Sequence, residues 1–526
     1  MNKFVKKFFI TFVLALILYS IFSIFLNKKK NSHVVKNIEN NTIFSNNIRI
    51  GVMQLDTLNP ILSNNKNVQE VSRLIFDPLF ELTNDYKIKD GLAKEYSKID
   101  SNTYLIKLKE NIKWHDGNLL NSSDVIFTIN IIKKLGDKSV YYYNTKNIAK
   151  VEELDEYTIK IITENEEAFF EYNLIFPIVS CKYFNEDNFN LESKNLKIIG
   201  TGKFYISDVS NNKIYLKRFD DYWVTGGENK LENIELKTCN SLGDIINEYK
   251  NLEIDFFTTS NSNINSYLEN YNYNKNEYIN RNYMYMALNY SDKILKNKEV
   301  RQAINYAINK KEIVSQIGNC TISNFPLDFG CFAYSEENEY VSYNEEMARK
   351  ILIDNNWEYN SNRWIKKNNG KIELELVVNK NDNTMVKTAD IISSQLSNIG
   401  IYIKIIEANN KQYNSYIINK NYDLILLNNS YSYSPSLNKY YDENNIANYC
   451  NEEIGEILED IETLNIDDLN KKYKRIVELY NEDVIYISLF FNTSNLIYSN
   501  NVRGLITPNS YNPYIGIEKC YREYEN

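Results

Sequence analysis

Residues 112–129 read IKWHDGNLLNSSDVIFTI and contain His115, one of only two histidines in a chain of 526 residues. A histidine beside an aspartate is common in hydrolase and metal sites. The flanking pattern favours a structural turn instead, because a strand-like segment precedes it and a capped helix follows from about residue 123. Asp-Gly supplies the tight geometry of such a turn. We therefore predict a structural signature formed by four residues: Trp114, His115, Asp116 and Gly117.

Outward from this segment, the chain alternates between strand and helix patterns. A chain of 61.9 kDa is too long for one ordinary core, so two or three domains are expected. Helices are predicted at 67–76, 121–134, 300–317, 388–400 and 468–483. Strands are predicted at 47–53, 103–114, 157–163, 202–209, 213–219, 233–238, 372–378, 401–407, 422–428 and 484–491. This pattern predicts a mixed α/β protein with at least two lobes.

The N-terminus resembles a membrane anchor. Lysines precede an apolar run from Phe8 to Leu26, which at about 1.5 Å per residue covers a bilayer core of about 30 Å. We predict a single uncleaved signal anchor at residues 1–30 and a polar tether at residues 31–46, with the body on one side of the cell membrane. Cleavage at an atypical site is the alternative. The net charge of −9, without a basic stripe, argues against a nucleic-acid partner.

Motifs for catalysis or metal binding are not found. The second histidine, His33, falls in the predicted tether, which excludes a multi-histidine metal site, and no nucleophile elbow or phosphate-binding loop occurs. We therefore predict a protein that is not an enzyme and that holds neither metal nor cofactor. The six cysteines include no C-x-x-C pair. Cys320 and Cys331 are close enough in sequence for a disulfide in an extracellular body, and buried free thiols are the alternative.

Several segments, in one order, resemble a known family. They include LNPILSNNKNVQEVSRLIFDPLFEL, LKENIKWHDGNLLNSSDVIFTI, IIGTGKFYISDVSNNKIYLKRFDDYW and ALNYSDKILKNKEVRQAINYAINKKEIV. Together they are similar to the extracytoplasmic solute-binding proteins of ABC importers, in the oligopeptide, dipeptide and nickel-binding group called family 5. The resemblance covers about residues 47–505.

The resemblance implies a fold like that of the type II periplasmic binding proteins, with two lobes (three domains) joined by a hinge. Lobe 1 would hold residues 47–285, with an inserted extra domain at about 86–195, and lobe 2 would hold residues 286–494. Residues 495–526 would return to lobe 1. The protein would act as a monomer that closes around its ligand.

The resemblance also implies ligand-binding positions. In peptide binders of the family, an acidic residue after a lobe 2 strand pairs with the peptide's amino terminus, and here that position falls on Ser432, or on Tyr431 with a shifted gap. A serine hydroxyl cannot neutralise an ammonium. Either another acid supplies the charge, or the ligand is a modified peptide, an oligosaccharide or another solute. The predicted ligand contacts are Met53, Gln54, Leu55, Tyr413, Lys420, Asn428, Asn429, Ser430, Tyr431 and Ser432.

The function that the resemblance implies is that of a membrane-tethered substrate-binding protein, which delivers peptides or peptide-like solutes to the permease subunits of an ABC importer. A signalling receptor that senses a peptide with the same fold is the alternative, and so is a binder of a non-peptide solute. A nickel chelate is known in the family, but direct imidazole ligation is not expected here, because His115 is the body's one histidine.

Overall fold

The computed structural model describes residues 42–184, 198–227, 229–335, 338–366, 370–459, 461, 464–504 and 506–525. The predicted anchor, residues 1–30, lies outside these residues, as does the tether up to residue 41. Among the helices that are described, none combines the length and the apolarity that crossing a bilayer requires.

The strands and helices are numbered in chain order. The strands are β1 Thr42–Ser45, β2 Asn47–Met53, β3 Phe80–Leu82, β4 Ile88–Asp90, β5 Ala93–Asp100, β6 Thr103–Leu108, β7 Ile148–Asp155, β8 Thr158–Thr163, β9 Phe204–Ser210, β10 Lys213–Arg218, β11 Asn233–Cys239, β12 Phe256–Thr259, β13 Tyr273–Leu288, β14 Cys320–Ile322, β15 Glu358–Asn360, β16 Arg363–Lys366, β17 Gly370–Lys371, β18 Glu373–Asn379, β19 Tyr402–Ala408, β20 Leu424–Ser430, β21 Tyr486–Ser499, β22 Val502–Arg503 and β23 Tyr521–Glu525. The α-helices are α1 Lys66–Ile75, α2 Ser122–Leu135, α3 Tyr142–Thr145, α4 Leu242–Lys250, α5 Ile264–Tyr267, α6 Lys298–Ala307, α7 Lys310–Ile317, α8 Glu345–Asp354, α9 Asn383–Asn398, α10 Asn410–Asn419, α11 Asn438–Tyr441, α12 Glu452–Glu459 and α13 Ile466–Asp483.

One large sheet organises the molecule. Its strand order is β19-β18-β20-β13-β21-β12-β2-β11-β10-β9, with β14 added beside β21. We call the part on the β12 side of the β13–β21 pair lobe 1 and the part on the β20 side lobe 2. In lobe 1, β2 is parallel to both β11 and β12; in lobe 2, β18 is parallel to both β19 and β20. The predicted mixed α/β class is confirmed.

Two long strands connect the lobes. Residues 273–279 of β13 pair with residues 499–493 of β21, which itself pairs with β12 of lobe 1. Farther along, residues 283–287 of β13 pair with residues 491–486 of β21, while residues 282–288 pair with β20 of lobe 2. Between these stretches the register shifts, and residues 280–282 form a bulge. Because extra residues there interrupt the ladder, the bulge is a natural place for one lobe to pivot against the other.

In the described part of the chain, three smaller sheets belong to the lobe 1 side, and the smallest is the antiparallel pair β3-β4. A four-stranded antiparallel sheet, β5-β6-β8-β7, lies within the range predicted for the inserted domain. A three-stranded sheet, β1-β23-β22, joins the two ends of the described chain. Residues 42–45 were predicted as tether, and here the prediction is wrong, because all four pair with Arg522–Glu525 in an antiparallel ladder. A tether could extend only to residue 41.

The predicted helix at 300–317 is two helices. Helix α6 ends at Ala307 and α7 begins at Lys310, with extended backbone at Ile308. The Asn309 side chain accepts a hydrogen bond from the backbone N–H of Glu312, which caps α7. From α9, the Gln395 side chain bonds both the N–H and the carbonyl of Asn309. The apolar periodicity continues through the break, so periodicity alone could not reveal it.

Hydrogen bonds join the motif residues at 77–79 to those at 200–223. The Asp77 carboxylate accepts hydrogen bonds from Thr201 Oγ1 and Trp223 Nε1, both at 2.9 Å, and from the Tyr222 hydroxyl at 3.2 Å. Burial raises the pKa of Asp77 to about 6, and the charge of Glu81 adds to this effect. These motif residues are therefore used to pack lobe 1.

Candidate functional site

Side chains from both lobes meet beside the β13 bulge. We call this group the interlobe cluster. Its aromatic members are buried, whereas Arg281 and Lys439 remain exposed and Arg73 is half-buried. The cluster consists of Arg73, Tyr86 and Tyr511 from lobe 1, Arg281 from the bulge, and Phe329, Tyr431, Tyr433 and Lys439 from lobe 2.

Aromatic contacts cross from one lobe to the other. The Tyr433 ring stacks on Tyr86 at 5.5 Å and meets the edge of Tyr511 at 5.6 Å. Phe329 lies 5.1 Å from both Tyr86 and Tyr431. Aromatic pairs at such distances contribute about 0.5–1.5 kcal/mol each beyond their buried area. The group thus forms a floor between the lobes that can present flat apolar faces to a ligand.

Cations alternate with these tyrosines. The Arg73 guanidinium lies 3.9 Å from the Tyr511 ring centre and donates to the Tyr511 hydroxyl at 2.8 Å. Arg281 lies 4.6 Å from the Tyr433 ring centre and donates from Nε to the Tyr431 carbonyl at 2.7 Å. Lys439 Nζ lies 4.3 Å from the Tyr431 ring centre. Cation–π contacts therefore stabilise all three positive charges at one site.

No carboxylate of the described residues forms an ion pair with these three cations. Glu81 acts on Arg73 only from a distance, and its own ion pair is with Lys89 at 2.9 Å. Desolvation of the Lys439 ammonium beside the Tyr431 and Tyr440 rings, together with the positive charge of Arg281, lowers the pKa of Lys439 to about 8. The cluster therefore carries an uncompensated positive charge.

The space within the cluster is small in this arrangement of the lobes. A cavity of about 10 Å³, lined by Arg281, Ser432 and Tyr433 among others, is about large enough for one water molecule. A larger cavity of about 220 Å³ lies within lobe 1 and is lined by Arg73, by Asp77 and by the ion pairs Glu81–Lys89 and Lys203–Glu518. We place the ligand site at the smaller cavity, because it lies where both lobes can close on a ligand.

The end of β20 and the loop that follows it, where ligand contacts are predicted, reach the cluster. Tyr431 belongs to it, and Ser432 lines its cavity with an exposed side chain. Asn428 donates from Nδ2 to Asp382 Oδ2 at 2.8 Å, and Asn429 donates from Nδ2 to the Tyr285 hydroxyl at 3.3 Å. Ser430 pairs with Asn282 of the bulge. The loop thus lies beside the hinge, and whether these side chains contact ligand stays a prediction.

Met53, Gln54 and Leu55 lie at the carboxyl end of β2 in lobe 1. The Met53 N–H donates to Asn67 Oδ1, and Gln54 bonds Asn240 through its side chain. Met53 and Gln54 are exposed, whereas Leu55 packs partly against the core. No hydrogen bond or ring contact joins this group to the interlobe cluster among the described residues, and its role stays a prediction.

Two predicted contacts lie elsewhere. Tyr413 is only 7% exposed, and its hydroxyl donates to the Leu426 carbonyl at 2.5 Å, so it packs α10 against the sheet. Lys420 follows α10 and precedes β20, whereas the cluster loop follows β20. Because the seven residues of β20 rise about 3.3 Å each, Lys420 lies about 20 Å from that loop. Both side chains therefore lie away from the interlobe cluster in this arrangement, and their contact with a ligand stays a prediction.

His115 is a structural residue. Its Nδ1 accepts a hydrogen bond from the Gly200 N–H at 3.2 Å, and Nε2 donates to the Gly202 carbonyl at 2.9 Å in the tautomer that this pairing requires. Burial lowers the pKa of His115 to about 4, so the ring is neutral. With both nitrogens occupied, it offers no free lone pair to a metal or substrate.

The other signature residues close the turn. The Gly117 N–H donates to the Trp114 carbonyl at 2.8 Å, and Asp116 accepts from the Asn118 N–H at 3.0 Å. Gly117 has a φ of +87°, a conformation that favours glycine. Asn121 then caps α2, reciprocated by Asp124. The predicted structural turn is confirmed.

The predicted disulfide is not formed. Cys320 and Cys331 are both free thiols. The Cys320 Sγ lies 3.8 Å from the Val314 carbonyl, against α7. Cys331 is only 3% exposed, and burial raises its pKa to about 12. The two side chains pack into different surroundings, which agrees with the alternative of buried free thiols. The described residues also contain no group of three or more potential metal ligands.

The cations of the cluster were not found from the sequence. Arg73 lies in the last turn of α1, Arg281 lies in a bulge, and Lys439 lies in the short helix α11. More than 150 residues of sequence separate each of these cations from the next, so only the fold brings them together. The one signal that could have indicated a charged site was the missing carboxylate at Ser432.

Comparison with known proteins gives consistent matches. Residues 87–445 match the family described as bacterial extracellular solute-binding proteins, family 5 Middle. The oligopeptide-binding protein AppA of Bacillus subtilis is 22% identical over 472 residues, which covers 85% of this chain and 86% of AppA.

Solved structures share the fold. AppA of Bacillus subtilis in complex with a nonapeptide aligns with a TM-score of 0.60 at 20% identity, covering 90% of this chain and 98% of AppA. NikZ of Campylobacter jejuni in complex with Ni(L-His) aligns with a TM-score of 0.62 at 22% identity, covering 90% of this chain and 99% of NikZ.

Proposed function

Since the chain belongs to the bacterial extracellular solute-binding proteins of family 5, we propose that it binds a peptide or peptide-like solute between its lobes and delivers it to the permease of an ABC importer. Proteins of this family are extracytoplasmic solute-binding components of ABC importers, which bind peptides or nickel chelates. Of these two ligand types, the peptide is the one we assign to this chain.

One observation carries this proposal. The interlobe cluster joins aromatic side chains of both lobes directly beside the bulge in the connecting strands. Closure of the lobes at the bulge would bring these aromatic side chains together around an extended ligand, and opening of the lobes would release it. The occupied nitrogens of His115 favour a peptide over a metal held by imidazole.

Native mass spectrometry of the full-length protein, released gently from its source membrane, tests the ligand. We expect co-purified peptides of mixed sequence, because broad selectivity suits a receptor whose contacts are largely to the peptide backbone. A single non-peptide species would contradict the proposal and would support the alternative of a different solute.

The proposed tether and transport role need a cellular measurement. We propose that residues 1–30 anchor the protein in the membrane and that it works as a monomer with its permease. Deleting the gene should abolish uptake of a labelled peptide, and a gene copy for the wild-type chain should restore it. Normal uptake, with loss of a peptide-dependent transcriptional response instead, would indicate the signalling receptor.

A further inference from the structure

We propose that the ligand is an acidic peptide whose carboxylates are held by Arg73, Arg281 and Lys439 at the interlobe cluster. This inference rests on the proposed function, since it assigns the ligand class of the same site. Three independent features support it.

The first feature is charge. Arg281 lines the small cavity, Lys439 lies over the Tyr431 ring that also lines it, and Arg73 lies over Tyr511, which packs against Tyr433. None of the three cations has a carboxylate partner among the described residues. The positive charge of Arg281 acts unfavourably on the Lys439 ammonium, and an anion arriving between these two groups would relieve that repulsion. Guanidinium groups are also well suited to carboxylates, because their planar donors match both oxygens.

The second feature is an unsatisfied hydroxyl. Tyr431 is only 3% exposed, it lines the cluster cavity, and its hydroxyl has no hydrogen-bond partner in the part of the chain that is described. A buried hydroxyl without a partner costs about 1–3 kcal/mol. A ligand oxygen accepting from Tyr431 would remove that penalty beside the Lys439 charge.

The third feature is the absence of an acid. The exposed Ser432 lines the cavity, and the only charged side chain in that lining is Arg281, as far as the described residues show. A peptide's ammonium group would meet positive charge there rather than a counter-ion. The cluster therefore selects the negative groups of a ligand and leaves a free amino terminus without an anchor.

Isothermal calorimetry on the full-length protein can measure this selectivity. The probes are Ala-Glu-Ala-Glu-Ala and its uncharged counterpart Ala-Gln-Ala-Gln-Ala, each with a free and an acetylated amino terminus. We expect the glutamate peptide to bind about tenfold more tightly and acetylation to change either affinity by less than about threefold. Equal affinities for the two sequences would overturn the inference.

Substitutions at exposed positions test the named charges. Lys439→Gln should weaken binding of the glutamate peptide by about five- to tenfold and leave the glutamine peptide unchanged, while Lys439→Arg keeps wild-type affinity. Lys471→Gln, the same change on an outer face of α13 where Lys471 is 77% exposed, is the control. Ser432→Asp should also weaken binding of the glutamate peptide. Ser432→Asn introduces a side chain of the same shape as aspartate but without its charge, and should not weaken that binding. Equal effects of Lys439→Gln and Lys471→Gln would refute the assignment.

A further probe separates this inference from the proposed function. If neither peptide binds, the peptide proposal fails, and the melting temperature is then measured with tricarballylate, its triamide and inorganic phosphate at one ionic strength. Stabilisation of the wild type, but not of Lys439→Gln, by tricarballylate alone would retain a carboxylate site. No stabilisation, or equal stabilisation by phosphate, would overturn it.

Discussion

Asp77 and His115 are buried ionisable groups of lobe 1 whose pKa values shift in opposite directions on folding. Burial raises the pKa of the Asp77 carboxyl to about 6 and lowers the pKa of the His115 imidazole to about 4. Folded Asp77 thus keeps its proton where unfolded Asp77 has lost it, and stability from this group falls as pH rises from about 4 to 6. For His115 the unfolded state takes up the proton first, and stability falls as pH drops from about 6.5 to 4.

These opposite slopes predict opposite phenotypes. Asp77→Asn should make the free energy of unfolding fall more steeply on acidification than in the wild type, by about 2 kcal/mol between pH 6.5 and 4. His115→Asn, whose Oδ1 can accept the Gly200 N–H, should shift the slope the other way. Urea midpoints at several pH values measure both. Wild-type slopes in both variants would mean that the two groups titrate normally.

Gly200, whose N–H bonds the signature residue His115, lies too close to the end of α1 to carry a side chain. A Cβ added there would lie 1.8 Å from the carbonyl oxygen of Ile75. Gly200→Ala should therefore lower the free energy of unfolding by more than about 3 kcal/mol, since backbone must move. Gly455→Ala, inside α12 where a Cβ meets nothing within 4 Å, should be neutral or stabilising by up to about 1 kcal/mol. Thermal unfolding of both variants compares them, and equal effects would contradict the close approach.

Individual residues were predictable where their role is local. The turn at 114–117 follows from Asp-Gly and a capped helix, and the structure contains it. The cations of the cluster, Arg73, Arg281 and Lys439, have no such local pattern. A single cation in a helix or a bulge predicts only a solvent-exposed surface residue. Their role arises only when strands β13 and β21 bring the lobes together.

Among the elements, the junction of α6 and α7 depends on one cap. Asn309→Ala removes the side-chain bond to the Glu312 N–H and should destabilise the protein by about 1 kcal/mol. Lys311→Ala, an exposed change in the first turn of the same helix, should alter stability by less than about 0.5 kcal/mol. Denaturant midpoints of the two variants make the comparison. A stabilised Asn309→Ala would instead mean that one continuous helix is preferred.

Strand β21 shows where element boundaries escape sequence patterns. The apolar run predicts a strand at 484–491, yet the strand continues to Ser499. The continuation includes Thr493, Ser494 and Asn495, polar residues that are nevertheless at most 2% exposed. They read as a loop because polar side chains rarely lie in a buried strand. Strand β13 was missed for the same reason, since its first half is rich in asparagine, lysine and tyrosine.

At the scale of the whole molecule, the segment before β2 closes the fold. Residues 42–45 pair with β23, Arg522 donates to Ser45 Oγ, and the Asn46 carbonyl accepts from the Glu232 N–H. A variant that begins at residue 47 should therefore lose about 2 kcal/mol of stability. A variant that begins at residue 42 keeps the ladder and serves as the control. Equal urea midpoints for the two would show that the pairing is not needed.

The overall architecture was predicted by collinear motifs rather than by any single pattern. Asp77 comes from one motif and Thr201 and Trp223 come from another, and the three meet in one hydrogen-bonded group, which explains why the two motifs occur together in the sequence. Ligand contacts are not constrained in this way. Tyr413 matched a position expected from relatives, yet here its hydroxyl serves the backbone of β20.

The strand pair β13–β21 also sets an order of folding events as the chain is synthesised. Strands β18, β19 and β20 lie within residues 373–430 and can assemble from neighbouring chain. Lobe 1 must wait for residues 486–525, because β12 pairs with β21 and β1 pairs with β23. Such distant pairings form slowly. The lobe that is synthesised first is thus the lobe that is completed last, because β12 and β1 lack their partner strands until the final forty residues have been made.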